Sequence, residues 1–207
     1  MKKLINKKIQ SFIQDNRGVA YIEFAVCLPF LLLLFAGSVD LTRLILLHQK
    51  VEKAVFTVGD LATQLQVEDG VCAIVAGWED TVVKDILLPF KYSPGEYSFV
   101  MSSVLGTSSG GGGGAVRDMI EWRYNPGGQS EIGAYSNPYQ QRATLPPTIR
   151  GLDQDERVIV TEMNYTFTPI FPVMSTITSQ DFRKVSYFRS RVSTGREGRE
   201  SGVLSGC

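Results

Sequence analysis

The chain has 207 residues, 43% of them hydrophobic, which allows one ordinary domain with a packed core and excludes a disordered chain. Its formal charge is zero, yet Lys2, Lys3, Lys7, Lys8 and Arg17 against Asp15 give the first eighteen residues +4 and leave the remainder at −4. An acidic remainder without a basic stripe excludes a partner gripped by its phosphates, so no nucleic acid is expected.

The run Val19 to Val39 is 21 residues long, close to the ~20 that carry a helix across a bilayer. Its single charged residue is Glu23, while Asp40 and Arg43 mark its far end. With the basic cluster before it, the positive-inside rule puts the N-terminus in the cytoplasm and everything after Val39 outside. Three processing outcomes compete: cleavage by signal peptidase after Ser38, where Ala36, Gly37 and Ser38 are small; an uncut anchor; and cleavage after Gly18. Two features favour the last. Arg17 and Gly18 stand at the border between basic and apolar segments, and Glu23 is fifth in a chain that begins at Val19. An acidic group inside a membrane helix costs a few kcal/mol, about 2.5 to 3.5 for Asp at a helix centre, and usually has a partner. A new amino group on Val19 would supply one, a helical turn from Glu23, and the pair could set register between packed helices. The alternative is a Glu23 that snorkels into headgroups.

Beyond Asp40, residues Leu44, Leu47, Val51, Ala54, Val55, Val58, Leu61, Ala62 and Leu65 recur at three and four, one stripe of an amphipathic helix reaching about Gln66. Pro29 and Gly59 are its expected bends. A second helix is predicted from Cys72 to about Leu88, with Ile74, Val75, Trp78, Val82, Val83 and Ile86 on its apolar side. From Glu96 the period is two. Tyr97, Phe99, Met101 and Ser103 share one side, and Val116, Asp118, Ile120, Trp122 and Tyr124 share a side of the next run. Two further strands, 157–167 and 182–192, are separated by Pro169 and Pro172. The expected fold class is α+β: a long spine helix, a second helix, and an antiparallel sheet of about four strands, drawn as a meander covered by the spine.

Candidate chemistry is thin. The glycine run at 108–114 lacks the Lys-Ser/Thr of a phosphate loop and reads as a hairpin loop. His48, the single histidine, sits on the outer helix and reads as a packing or interfacial residue, not as the base of a nucleophile. Glu121, Glu131, Asp153, Asp155 and Glu156 could form a carboxylate pair for glycoside hydrolysis, but the last three sit in a solvated turn. Cys27, Cys72 and Cys207 have no CxxC spacing, so neither a metal nor a cofactor is expected. Cys72 and Cys207 would lie outside, where a disulfide between them competes with free thiols; Cys27 is a free, lipid-facing thiol. Tyr124, Tyr135 and Tyr139, with Asn125, Asn137 and the intervening glycines of the stretch 125–150, read as an ordinary long loop or an adaptable recognition surface.

The order Arg17-Gly18-Val-Ala-Tyr-Ile-Glu23-Phe24, an apolar run containing Leu28-Pro29, then Asp40-Leu-Thr-Arg43 and an amphipathic helix, resembles the TadE/TadF-like pseudopilins of tight-adherence (Tad or Flp) pili. The closing region from Leu152 to Pro169, followed by Phe188-Arg-Ser-Arg191, is similar in style. The resemblance implies that a prepilin peptidase cuts the bond from Gly18 to Val19, that Glu23 with Phe24 serves processing or assembly, and that the subunit has no enzymatic role. It implies a pilin-like organisation: leader 1–18, membrane helix 19–39 bent at Pro29, extracytoplasmic domain 40–192 and flexible tail 193–207. It also implies the inner membrane as location, with other pilins and an assembly platform as partners in a pilus used for surface attachment. The rival functions are a soluble secreted binding domain released after Ser38, and a membrane-tethered hydrolase.

Overall fold

The structure, a computed structural model, describes residues 18–64, 71–90, 96–108, 116–125, 130–132, 142–149, 151–171 and 179–191. The chain divides into two compact units, Met1–Arg43 with Pro169–Thr178, and Leu44–Thr168 with Ser179–Cys207. Helix α1 (Val19–Ala62) is unbroken through Pro29 and Gly59. It closes with the hydroxyl of Thr63 donating to the carbonyl of Asp60 at 2.7 Å.

In the second unit the predicted stripe is the core face of α1. Leu47, Val51, Ala54, Val55, Val58 and Ala62 are buried and Leu44 packs against them; Leu65 lies outside the described residues. The second predicted helix is present in three pieces: α2 (Val71–Trp78), a π-helical turn (Glu79–Val83) and α3 (Lys84–Leu87). Val75, Glu79, Val83 and Leu87 are all buried. A strict four-residue repeat drifts round a helix of 3.6 residues per turn, and the wider i to i+5 turn takes up that drift. Ile74, expected on the apolar side, is therefore outward and 45% exposed.

Strands β1 (Tyr97–Ser108), β2 (Val116–Tyr124), β3 (Arg157–Phe167) and β4 (Gln180–Arg189) form one antiparallel sheet in the order β2-β1-β3-β4. The sheet is not the expected meander. The hairpin β1-β2 is closed, with Ser108 opposite Val116, but β3 pairs with β1 on its other side. The long stretch between β2 and β3 makes that crossing possible, whereas a short turn would have forced β3 beside β2.

Phe99, Met101, Trp122, Ile159, Met163, Tyr165 and Phe167 face α1, α2 and α3 in one core. A second core lies on the opposite face, where Val104, Ile120, Val158 and Val160 are covered by Ile132, Leu145 and Leu152. The described part of the 125–150 stretch thus covers the sheet; Tyr135 and Tyr139 are outside the described residues. The predicted grouping of Ile120 with Trp122 and Tyr124 is overturned by a β-bulge. Ser103 pairs with Trp122 and Val104 with Ile120, so Glu121 is an extra residue and alternation is interrupted there. A one-residue slip moves every later side chain to the other face.

Candidate membrane and assembly segment

Gly18 is exposed, and Val19 opens α1. Val19 and Glu23 are four apart in a helix, hence neighbours on one side of its first turns. Both are exposed, as is Phe24 at 59%. A proteolytic product beginning at Val19 would carry its ammonium at a helix N-terminus, where the aligned peptide dipoles disfavour a cation. The Glu23 carboxylate one turn on offsets that effect.

Every described residue from Gly18 to Phe35 is exposed, including Ile22, Val26, Phe30, Leu34 and Phe35. Water does not tolerate so continuous an apolar surface, and α1 is long and apolar enough to cross a membrane. Pro29 lies inside the span and, lacking an N–H, leaves one carbonyl of the preceding turn without its helical partner. Cys27 is a free exposed thiol in the same run. Cys207 and the side chain of Cys72 fall outside the described residues, and with them the disulfide expectation.

The apolar run ends in a feature that sequence reasoning missed. Asp40 is 2% exposed, and its two carboxylate oxygens accept hydrogen bonds from the backbone N–H groups of Ile170 and Phe171, at 3.0 and 3.1 Å. Arg43, one turn on, stands 3.9 Å from the same carboxylate. The partners are 130 positions away in sequence, so no local pattern could disclose them.

The other candidate carboxylates are structural. Glu121 makes a bidentate pair with Arg157, 2.7 Å on each side, and accepts the hydroxyl of Ser103 at 3.0 Å. The bulge creates this contact by turning Glu121 toward the face that Arg157 occupies. Glu131 pairs with Arg183 at 3.0 Å, while Asp153 and Asp155 are exposed in their turn and Asp155 adopts φ 66°. His48 packs edge-on against Phe182 with ring centroids 5.6 Å apart. Glu79, in the π-turn, accepts the hydroxyls of Tyr97 and Tyr124 at 2.9 and 2.6 Å. Burial raises the Tyr124 hydroxyl above its ordinary pKa, and the neighbouring Glu79 carboxylate adds to the shift. Among the described residues no group of acidic, His and Cys side chains could hold a metal ion.

Residues 18–59 match the model of the TadE-like protein family. The match bears out the resemblance to TadE-like proteins of tight-adherence pili, and the family is one of pilus components, not of enzymes. No curated protein and no solved structure matches the chain.

Proposed function

We propose that this chain is a minor pilin or pseudopilin, processed between Gly18 and Val19, that takes part in assembling a tight-adherence pilus used for surface attachment. The observation that carries the reading is a coincidence of boundaries. The TadE-like match starts at residue 18, directly after the basic segment ends at Arg17 and where the exposed apolar run of α1 begins. The leader holds the N-terminus in the cytoplasm, the run 19–39 stores the precursor in the inner membrane, and residues 40–192 lie on the extracytoplasmic side with the tail 193–207. Prepilin peptidase removes the leader; other pilins and the membrane assembly platform are the partners.

On leaving the bilayer, the exposed apolar face of α1 is covered by neighbouring helices, which is favourable by about 25 cal/mol per Å² of apolar area kept from water. Glu23, and with it the first turn at Phe24, fixes the register of that packing through the new Val19 ammonium. Release after Ser38 is the competing reading. It is disfavoured by the continuity of α1 across that bond, where the Ser38 hydroxyl donates to the carbonyl of Phe35 and Thr42 donates to that of Ser38, both at 2.8 Å. Mass and N-terminal sequence of the mature protein from its native host decide between them. A chain starting at Val19 is expected, and one starting at Val39 overturns the proposal.

A further inference from the structure

Ile170 is 54% exposed beside Phe171, in the connection between β3 and β4, and both are held by Asp40 at the end of the apolar run. From Val19 to Asp40 the helix rises about 31 Å at ~1.5 Å per residue, close to the ~30 Å thickness of a hydrocarbon core. Asp40 therefore stands at the level of the outer interface when the helix spans. Leu41, the next residue on α1, is 54% exposed as well.

The backbone chemistry at Ile170 and Phe171 fits lipid better than water. In the sequence Pro169-Ile170-Phe171-Pro172 the two prolines have no N–H, and the two remaining donors both go to Asp40. A segment facing water needs no such arrangement, because water satisfies its amides. One facing lipid does, since a backbone donor there has no water to pair with. A carboxylate almost wholly withdrawn from solvent is the device that achieves it.

We infer that Ile170 and Phe171 form a second membrane contact, a short apolar wedge that Asp40 docks into the outer leaflet beside the spanning helix. The occupant of this surface is phospholipid. The inference rests on the proposed spanning of the run 19–39, and the experiment separates the two. Full-length protein in phospholipid vesicles carries the photoreactive residue p-benzoylphenylalanine at Ile170, at Leu33 within the run, or at exposed Thr144, and adducts are identified by mass. Phospholipid adducts from positions 170 and 33, and none from 144, are expected. Lipid adducts from 33 alone, or protein adducts from 170, overturn the wedge and leave the spanning helix standing; lipid adducts from neither position overturn both. Asp40→Ala is expected to abolish the adduct at 170 while preserving that at 33, and its persistence at 170 overturns the clamp.

Discussion

Four acidic side chains that look alike in the sequence do different work, and their surroundings decide which. Glu23 is exposed on an apolar helix, and its proposed partner is the ammonium that cleavage would create on Val19. Glu23→Ala should leave the protein in the membrane but impair cleavage or incorporation into pili, measured by mature mass and by the pilus fraction; unchanged values for both would remove its assigned role. Glu121 neutralises an Arg157 side chain that is 3% exposed. Glu121→Ala strands a buried cation and should cost about 3 to 5 kcal/mol, whereas Glu131→Ala removes a carboxylate 61% exposed and should cost about 1 kcal/mol or less. Denaturant titration of both variants tests that contrast. Glu79 acts through its tyrosines. The pKa of Tyr124 is higher in the folded state, so the folded chain keeps a proton that the unfolded chain releases above its ordinary value of about 10. Stability is therefore independent of this group below about pH 10 and falls as pH rises beyond it. Tyr124→Phe should flatten that alkaline decline, and an unaltered slope would show that the hydroxyl is not responsible.

At the scale of elements, β4 and Arg191 just beyond it make ion pairs with neighbouring elements. Arg183 reaches Glu162 and Glu131, Lys184 reaches Glu52, Arg189 reaches Glu156, and Arg191 reaches Asp60. Two of these acids lie on α1, which approaches β4 so closely at Gly59 that a Cβ there would stand 2.8 Å from the ring of Phe188 and 2.9 Å from the hydroxyl of Ser186. Gly59 is buried, and its lack of a side chain admits the strand. Gly59→Leu should destabilise by about 1 to 3 kcal/mol through overpacking. Gly59→Ala should lose less, because better helix propensity returns up to about 1 kcal/mol. Equal stability of the leucine variant and the parent chain in a denaturant titration would contradict the close approach. The periodicities disclosed α1, α2 with α3, and all four strands, because each buries one face and repeats its apolar residues accordingly. They did not disclose the bulge at Glu121 or the π-turn at Glu79, since each inserts one residue against the local period for a contact made elsewhere in the fold. The strand order was hidden for a related reason: period-two patterning says which face a residue takes and nothing about which strand lies beside it.

For the whole molecule, the segment that carries the proposed function and the residues that carry the stability are separable. The apolar run was legible because its length and composition are those that a bilayer would demand of a spanning helix. The Asp40 clamp was not, because it joins residues 130 positions apart through main-chain donors that have no signature in the sequence. Among the described residues both hydrophobic cores draw only on residues from Leu44 onward, so nothing described in them depends on the run 19–38. A chain beginning at Val39, the product of the rival cleavage, should therefore fold cooperatively and remain soluble without detergent. The chain beginning at Val19 should partition into membranes and resist alkaline extraction, because each central Leu, Ile, Phe or Val favours insertion by about 0.3 to 0.6 kcal/mol. Circular dichroism melts of the shorter chain and flotation of the longer one with vesicles measure the two halves of this expectation. Aggregation of the Val39 chain with no cooperative transition would mean that the part of α1 before Val39 is needed by the cores after all. Its folding, in turn, would show that solubility cannot identify the native cleavage and that the terminus of the protein made in cells is what does.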